Sequence, residues 1–287
     1  MSGSSPELTL PASLVEETVR TALEEDLGQA GDITTNAIIP AEAEGAAEIV
    51  ARENGVIAGL EVAELAFALL DPECAFTYLA EDGDSVSPGE AVAHIEGTTR
   101  ALLTAERVAL NFLGHLSGIA SLTRRFVEAV EGTGAIIVDT RKTTPHLRGL
   151  EKYAVRCGGG QNHRFGLYDA VLVKDNHIAA AGGIEPALAQ LKSRVGHAVK
   201  IEVEVDRLDQ LEEALRLPID TVLLDNMDIP TLTRAVEMTK GKVTTEASGG
   251  VNLETVRGIA ETGVELISVG ALTHSPKNLD LGLDWTR

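Results

Sequence analysis

The stretch IEVEVDRLDQLEEALRLPIDTVLLDN, residues 201–226, contains the repeating unit from which the fold can be predicted. Two short β-branched runs, 201–205 and 221–224, flank a stretch with helical periodicity at 207–216. A strand, a helix and a second strand in this order indicate two parallel strands joined by a crossover helix, since a tight turn cannot connect a parallel pair.

The same alternation continues on both sides of this unit. Further apolar runs lie at 135–138, 170–173, 243–245 and 264–269, and further helical stretches lie at 184–195, 229–239 and 252–262. The six runs follow one another at intervals of about 20 to 35 residues, which is typical of strands alternating with helices. Since the chain has no GxGxxG dinucleotide fingerprint, we expect an incomplete (β/α) barrel rather than a doubly wound sheet.

The residues before about position 134 have a different pattern. A helix is predicted at 13–28, and Asn54-Gly55 is a hairpin-type turn signal between apolar segments. A long helix with an apolar stripe is predicted from Thr104, which would place Arg107 in its first turn. Gly114 and Gly118 in this helix lie four residues apart, so another backbone could approach them closely; the alternative is that they merely weaken the helix.

The turn-rich segment at 81–97 is similar to the turns of biotin and lipoyl carrier domains. A carrier needs an exposed lysine at a hairpin tip, and residues 1–141 contain no lysine. We therefore interpret this segment as part of a packed β structure rather than as a carrier module.

The composition of the 287-residue chain excludes several classes of protein. A net charge of -20 and an aromatic content of 3% argue against nucleic acid and anionic membranes as partners. No apolar run is long enough to cross a bilayer, and the first residues do not resemble a signal peptide. The two cysteines, Cys74 and Cys157, fit a reducing compartment, so we expect a cytoplasmic protein.

Polar residues follow the predicted strands, where the chemistry of a (β/α) barrel is found. In chain order they are Asp139, Arg141 and Lys142; Lys174, Asp175, Asn176 and His177; Asp225 and Asn226; Glu246; and the segments SGG at 248–250 and VGALTHS at 269–275. Because the carboxyl ends of parallel strands meet at one edge of the sheet, these residues are predicted to share one mouth.

The first part of this mouth is basic although the chain is acidic. Seven Lys and Arg residues and three acidic residues lie between Asp139 and Lys174, a local charge of +4. A positive pocket of this kind suits a small ligand with several negative charges. The alternative, that the cations pair with surface acids, applies best to the amphipathic stretch that carries Arg148, Lys152 and Arg156.

Two features of the later strands indicate phosphate and metal chemistry. Main-chain N–H groups at the glycine-containing sites after the last two strands are suited to phosphate. Glu204 and Asp225 lie on adjacent predicted strands, so their carboxylates could hold Mg²⁺, bind ribose hydroxyls or stabilise a developing cation. The alternative is a barrel salt bridge from Glu202 or Glu204 to Lys174 or Lys200.

No motif for nucleophilic catalysis or zinc binding is present. The sequence has no GxSxG motif and no P-loop, and His146, His163 and His177 lack zinc-ligand spacing. Cys157 has no evident base partner and is interpreted as structural. A sugar-phosphate aldolase or isomerase stays open as an alternative, with Lys174 as a candidate Schiff-base lysine.

Taken together, the motifs resemble those of the quinolinate phosphoribosyltransferase family, also called nicotinate-nucleotide pyrophosphorylase (carboxylating). The resemblance rests on DTRKTTPHLRGLEKYAVRCGGGQNHRFGLYDAVLVKDNHI at 139–178, with GDITT, LTAERVALNFLGHLSGIA, EVEV, LLDN, EASGGVN and VGALTHS in the same order. It covers nearly the whole chain.

This resemblance implies an N-terminal α/β sandwich domain, 1–115 with 276–287, and an incomplete seven-stranded α/β barrel, 116–275, of the type II phosphoribosyltransferase class. It implies a cytoplasmic homodimer in which Arg107 reaches the neighbouring site. The implied reaction joins quinolinate to phosphoribosyl pyrophosphate with Mg²⁺, and yields nicotinate mononucleotide, carbon dioxide and pyrophosphate. The alternative is a related phosphoribosyltransferase that acts on another aromatic acid.

The resemblance also implies roles for individual residues. Those expected to grip the two carboxylates of quinolinate are Arg141, His163, Arg164 and Lys174, with Arg107 from the partner subunit. Lys142 is expected at the site that both substrates share, next to Thr140. Glu204 and Asp225 are expected near the ribose and Mg²⁺, and with Lys142 form the expected catalytic set. The residues expected to bind phosphate are Ser248, Gly249, Gly250, Gly270 and Ala271, with His274 nearby.

Overall fold

The computed structural model describes residues 10–286 and divides into two compact units. The first unit contains the chain up to Arg124, Thr143–Gly159 and the segment from Leu272 onward. The second unit contains Arg125–Lys142 and Gly160–Ala271. The domain boundaries expected from the sequence stay predictions.

The first unit is built around an antiparallel sheet. Its strands are β1 (Glu44–Ala51), β2 (Gly55–Val56), β3 (Ala75–Tyr78), β4 (Ser85–Val86), β5 (Ala91–Thr98) and, from the end of the chain, β12 (Leu281–Thr286). Its helices are α1 (Ala12–Leu27), α2 (Ile33–Ile38), α3 (Leu60–Ala68), most of α4 (Thr99–Ala129) and α5 (Arg148–Cys157). The main sheet has the order β12-β1-β5-β3, while β2 and β4 form a separate pair. The segment predicted to be packed β structure therefore supplies β4 and β5.

The long helix α4 differs from its prediction at the start. It begins at Thr99, five residues before Thr104, so Arg107 lies in the third turn and not in the first. The prediction placed the start of the helix where the apolar stripe begins. In the structure the helical backbone also includes residues 99–103, without a break. Both α4 glycines meet another backbone: a Cβ at Gly118 would lie 2.2 Å from Lys277 O, and one at Gly114 would lie 3.0 Å from Leu279 O. The predicted close approach is thus confirmed.

The second unit is a parallel sheet with helical connections. Its strands are β6 (Ile136–Val138), β7 (Val171–Val173), β8 (Ile201–Val205), β9 (Thr221–Asp225), β10 (Thr244–Ser248) and β11 (Leu266–Ser268). Its helices are α6 (Asp175–Ala181), α7 (Ile184–Lys192), α8 (Leu208–Ala214), α9 (Ile229–Thr239) and α10 (Val256–Ala260), and α11 (Ala271–His274) follows. The strand order is β6-β11-β10-β9-β8-β7, and each neighbouring pair is parallel.

A seventh strand position extends the six-stranded sheet, although the barrel stays incomplete. Gln161 forms a parallel bridge with Val138 on the side of β6 that faces away from β11. Within residues 10–286, Gln161 and β7 are therefore the two ends of the strand order, and the barrel stays open between them. The expected fold, an N-terminal α/β domain and an incomplete seven-stranded α/β barrel, is confirmed.

Apolar side chains explain why the barrel strands form where they do. Val203, Val222 and Ile267 are fully buried, as are Leu211 of α8 and Ala235 of α9. Burial of each large apolar side chain stabilises the unit by about 1.5–3 kcal/mol. The alternate residues of β8 are acidic and lie on the other face of the strand.

Two barrel elements differ from the predicted bounds. The run predicted at 243–245 becomes the strand Thr244–Ser248, so Glu246 lies inside β10 and not after it. The helix predicted at 252–262 is only Val256–Ala260, because an Asx turn at Asn252, which accepts the N–H groups of Glu254 and Thr255, occupies its first residues.

None of the helices between residues 10 and 286 combines the length and the apolar character that a bilayer-spanning segment requires.

Candidate active site

Thirteen of the sequence-predicted site residues lie in the barrel unit. They are Thr140, Arg141, Lys142, His163, Arg164, Lys174, Glu204, Asp225, Ser248, Gly249, Gly250, Gly270 and Ala271. Each lies at, or within four residues of, the carboxyl end of β6, the Gln161 bridge or one of the strands β7 to β11. Since the strands are parallel, these residues share the edge of the sheet at which barrel enzymes bind their substrates.

The other two predicted residues, Arg107 and His274, lie in the first unit. Arg107 is exposed on α4. His274 is exposed at the end of α11, where its Nδ1 lies 2.6 Å from Ser275 Oγ. Their roles at the barrel mouth stay predictions.

A buried group of acids and one histidine lies among the barrel strands. His163 Nε2 lies 3.0 Å from Glu202 Oε2 and 3.5 Å from Glu246 Oε2. Glu202 is 8% exposed and Glu246 is 1% exposed. The Oε1 atom of each glutamate is buried without a hydrogen-bond partner among the described residues. Two carboxylates and one imidazole thus share a space from which water is largely excluded.

The electrostatics of this group favour a retained proton. Burial, and then the nearby charge of Glu202, raise the pKa of Glu246 to about 7, although His163 opposes the shift. Burial disfavours a charged carboxylate, and a like charge beside it adds to the effect. Near neutral pH, Glu246 therefore holds a proton in a substantial fraction of molecules.

Asp139, at the end of β6, anchors the segment that carries His163. It is fully buried. Its Oδ1 accepts the main-chain N–H of His163 at 2.8 Å, and its Oδ2 accepts Asn162 Nδ2 at 2.6 Å. Its own N–H donates to Gln161 O at 3.1 Å. A buried carboxylate with these bonds fixes the main chain from 161 to 163 against β6.

Arg164 and Arg141 bring two guanidinium groups to the mouth. Arg164 Nη1 donates to Ala170 O at 3.0 Å. Burial, and then the charge of Arg141, lower the pKa of Arg164, so the two cations lie within electrostatic reach of each other. Arg141 Nε is buried and has no hydrogen-bond partner among residues 10–286. Two neighbouring guanidinium groups with an unused donor form a site that is suited to an anion.

Lys174 and Glu204 form an ion pair. Lys174 Nζ lies 3.2 Å from Glu204 Oε2, and their side chains are 47% and 16% exposed. The salt bridge weighed as an alternative for Glu204 is therefore present. Glu202 pairs with His163 instead.

Asp225 and the glycine loop after β10 lie on neighbouring strands. Asp225 Oδ2 accepts Asn226 Nδ2 at 2.6 Å, and the N–H of Asn226 donates to Ser248 O at 2.9 Å. Gly249 has φ +92°, and a Cβ there would lie 2.1 Å from Asn226 Oδ1. Gly250 has φ +62°. Glycine is thus required at 249 by both the conformation and the space, which explains the SGG sequence.

The basic helix α5 does not belong to the barrel unit. Lys152 and Glu151 are fully buried, so Lys152 does not lie on the protein surface. Glu151 Oε1 lies 2.9 Å from His115 Nε2, and Glu151 Oε2 accepts the N–H of Thr144 at 3.0 Å. Arg148 Nε donates to Thr143 Oγ1 at 3.0 Å.

Cys157, at the end of α5, is buried, and burial raises the pKa of its thiol to about 12. The reactive thiolate is therefore scarce near neutral pH, which fits the structural interpretation of this residue.

The sequence predicted Asp139 and Glu246 at the mouth without a specific role, and it did not assign Glu202 or Asn162 to the site. The signal for Glu202 was present, because the alternation in IEVEV places it on the same face as Glu204. Glu246 was predicted to follow its strand, but it lies inside β10 and is buried there.

The second unit is an incomplete parallel barrel. One edge of its sheet carries paired arginines, a Lys–Glu pair and a glycine loop. These features place the protein among barrel proteins whose site is suited to anionic substrates. The chain belongs to the quinolinate phosphoribosyl transferase family. The family profile for the N-terminal domain matches residues 32–117, and the profile for the C-terminal domain matches residues 119–284.

Individual relatives agree with this assignment. The chain is 46% identical over 262 residues to the probable nicotinate-nucleotide pyrophosphorylase [carboxylating] of Bacillus subtilis, spanning 91% of this chain and 90% of that protein. It is 45% identical over 273 residues to the nicotinate-nucleotide pyrophosphorylase [carboxylating] of Mycobacterium leprae, spanning 93% and 96%. The crystal structure of NadC from Streptococcus pyogenes has a TM-score of 0.93 and 42% identity, covering 99% of this chain and 100% of that one.

Proposed function

We propose that this chain transfers the phosphoribosyl group of phosphoribosyl pyrophosphate to quinolinate with loss of carbon dioxide, which gives nicotinate mononucleotide and pyrophosphate for NAD biosynthesis. The observation that carries the proposal is the guanidinium pair of Arg141 and Arg164 at the barrel mouth, with a buried donor of Arg141 unused. The family and the named activities of its relatives support the same reaction.

The two carboxylates of quinolinate match this pair. Each guanidinium can hold a carboxylate through a planar fork, and a dianion relieves the repulsion between the two cations. Lys174 adds a compact charge from the adjacent β7 side. His163 is proposed to belong to the same group through the main chain of Arg164, because its two ring nitrogens already bond Glu202 and the Arg164 N–H. Arg107 is proposed to join the group from the partner subunit of a homodimer.

The pyrophosphate-bearing sugar is assigned to the glycine loops. The N–H groups of Ser248, Gly249 and Gly250 and those of Gly270 and Ala271 are proposed to bind phosphate oxygens, with His274 nearby. Lys142 follows Thr140, whose Oγ1 accepts the N–H of Lys142 at 3.0 Å. This turn supports the proposal that Lys142 projects toward the site that both substrates share.

A magnesium ion is proposed to bind with the pyrophosphate-bearing sugar, and the donor set fits it. Glu204 and Asp225 offer carboxylate oxygens, the ligand type that Mg²⁺ prefers, from neighbouring strands. The ion would supply Lewis-acid compensation for the charge of the pyrophosphate.

The side chains of this protein explain the remaining chemistry. Departure of pyrophosphate leaves positive charge on the ribose, and the carboxylates of Glu204 and Asp225 stabilise that charge. Lys142 stabilises the negative charge on the leaving group. Attack by the pyridine nitrogen makes a pyridinium ring. When the adjacent carboxylate leaves as carbon dioxide, the electron pair stays on the ring carbon, where the positive nitrogen stabilises it, and a proton from solvent then takes the place of the carboxylate. Since the nitrogen of the substrate is the nucleophile, the protein needs no nucleophilic side chain.

The assay that tests the proposal compares two acids. Purified protein with Mg²⁺ and phosphoribosyl pyrophosphate is given quinolinate in one reaction and nicotinate in another, and nicotinate mononucleotide is measured by chromatography. We expect product from quinolinate only. Product from nicotinate alone would favour the second candidate, a related phosphoribosyltransferase for another aromatic acid. We further propose that the enzyme acts in the cytoplasm.

A further inference from the structure

The buried acids Glu202 and Glu246, which lie near His163, have no role of their own in the proposed reaction. Glu202 and Glu246 are both more than nine-tenths buried, and a carboxylate oxygen of each lies near His163 Nε2. Burying two carboxylates side by side is unfavourable, as the raised pKa of Glu246 shows. We therefore expect the two acids to hold other residues of the site in place.

A chain of hydrogen bonds connects these acids to the arginine. His163 Nε2 lies 3.0 Å from Glu202 Oε2, and the main-chain N–H of Arg164 donates to His163 Nδ1 at 2.8 Å. Because Nδ1 accepts an N–H, the ring proton lies on Nε2 and is donated to Glu202. A metal ion among the three side chains would have to replace this proton, so the geometry favours a hydrogen-bonded support.

We propose that Glu202 and Glu246 are positioning residues for the dicarboxylate site: through the imidazole of His163 they fix the main chain at Arg164 and hold its guanidinium beside Arg141. The proposal rests on the proposed function, because it assumes that the two arginines bind quinolinate. Asp139 fixes the other side of the same segment through the N–H of His163. Because both acids are buried against His163, they act through its imidazole and not by binding the ligand themselves.

The positioning role predicts different effects on the binding of the two substrates. The glycine loops that are proposed to bind the sugar phosphates follow β10 and β11, whereas the segment held by His163 precedes β7. Loosening His163 should therefore weaken the binding of quinolinate and leave the binding of phosphoribosyl pyrophosphate nearly unchanged. A general loss of structure would weaken both.

The test compares Glu202→Gln with the intact protein. Glutamine keeps the shape and an acceptor oxygen but removes the charge that holds the imidazole proton. We expect the KM for quinolinate to rise roughly 10- to 100-fold, the range seen when the outer hydrogen-bond partner of a site residue is lost. The KM for phosphoribosyl pyrophosphate should change less than about twofold, within the tolerance for independent sites. Glu246→Gln should give a smaller change in the same direction, because Glu246 lies farther from Nε2.

A second measurement reads the positioning directly and needs no substrate. Amide hydrogen exchange at Arg164 should become faster in Glu202→Gln, because its acceptor is less firmly held. The matched control is Glu265→Gln, which makes the same change in a carboxylate that accepts the Thr245 N–H near the start of β10. The control should leave both the KM for quinolinate and the exchange at Arg164 unchanged.

The outcomes separate this inference from the proposed function. A protein that does not convert quinolinate overturns the proposed function, while exchange at Arg164 can still be measured. An active enzyme in which Glu202→Gln changes neither the exchange at Arg164 nor the KM for quinolinate overturns the positioning role. An equal rise of both KM values, with no change in exchange, overturns it as well.

Discussion

The ammonium group of Lys174 lies 3.2 Å from a carboxylate oxygen of Glu204. Lys174 directly follows β7 and Glu204 lies in β8, and these strands are neighbours in the parallel sheet. In the proposed reaction Lys174 belongs to the dicarboxylate and Glu204 to the sugar and Mg²⁺. Binding of the substrates would therefore exchange this internal ion pair for contacts with the two ligands, which couples one substrate to the other.

The first prediction concerns this pair. We expect Lys174→Met to raise the KM for quinolinate about 10- to 100-fold, because one cation of the site is lost. The free energy of unfolding should fall by only about 1 kcal/mol, because Lys174 is half-exposed and solvent screens the pair, although the less exposed carboxylate of Glu204 loses its partner. Steady-state kinetics and denaturant unfolding measure the two quantities. An unchanged KM would show that Lys174 serves only its partner Glu204.

The second prediction concerns Lys142, the cation of the proposed catalytic set, and Arg164, a cation of the proposed dicarboxylate site. Lys142→Ala and Arg164→Ala should each lower turnover about 100-fold or more, because a charged contact to the substrates is removed. Both proteins should stay folded by circular dichroism. Lys242→Ala is the matched control, since its ammonium donates to Met238 O outside the mouth. Near-normal turnover in both variants would remove the site assignment.

The third prediction concerns the glycine loop. Gly249→Ala should destabilise the protein by about 1–3 kcal/mol and raise the KM for phosphoribosyl pyrophosphate, because both the φ of +92° and the 2.1 Å approach to Asn226 oppose a side chain. Gly241→Ala is the control: its φ is +73° and no atom lies within 4 Å of its Cβ position. It should lose stability without a change in KM. If the two variants had the same kinetics, the loop would not belong to the sugar-phosphate site.

The fourth prediction follows from the raised pKa of Glu246. Its folded-state pKa is about 7 and its ordinary value is 4.5, so the folded protein binds more protons than the unfolded chain between these pH values. The stability contributed by the protonated group is therefore present below about pH 4.5 and is lost as the pH rises through about 7. Glu246→Gln should remove this loss.

Denaturant unfolding of both proteins at several pH values between 5 and 8 checks the sign. The variant should gain stability relative to the intact protein as the pH rises. A difference between the two that is independent of pH would show that Glu246 is ionised throughout this range.

The fifth prediction concerns the partner subunit. If Arg107 reaches the neighbouring site, Arg107→Ala and Lys142→Ala proteins should each be inactive, but mixed dimers should contain one site with both residues. Refolding an equal mixture should restore about a quarter of the intact activity, as expected from random pairing in a two-fold dimer. No recovery, although mixed dimers are detected by mass spectrometry, would place Arg107 in the site of its own subunit.

Much of the barrel could be predicted because its strands carry a local signal. The runs at 201–205 and 221–224 became β8 and β9 within one residue, since their buried apolar residues are β-branched or leucine and their connection has helical spacing. Helix 229–239 was predicted with its observed bounds, and Asp228 caps it while Pro230 lies in its first turn. The start of α4 at Thr99 was missed because the helix follows β5 directly, with no loop between them.

The residues at the barrel mouth could be predicted from the sequence, whereas the buried contacts that hold them in place could not. Arg141 and Lys174 were predicted because polar residues after parallel strands share one edge. Glu204 was predicted because it lies on a strand next to that of Asp225, and Arg164 was predicted from the basic stretch and the resemblance to the family. The pairing of His163 with Glu202 depends on the position of Gln161 beside β6, which a single bridging residue does not reveal in the sequence. Contacts between side chains that are about 40 residues apart are fixed by tertiary packing, and local patterns do not contain them.

The most direct test of the central claim follows the two carboxylates of quinolinate separately. Purified protein, Mg²⁺ and phosphoribosyl pyrophosphate are incubated with quinolinate labelled with carbon-13 either in the carboxylate next to the ring nitrogen or in the other one. We expect the first label to be released as carbon dioxide in step with the formation of nicotinate mononucleotide. The second label should stay in the product. Release of the second label, or formation of a nucleotide that keeps both carboxylates, would contradict it.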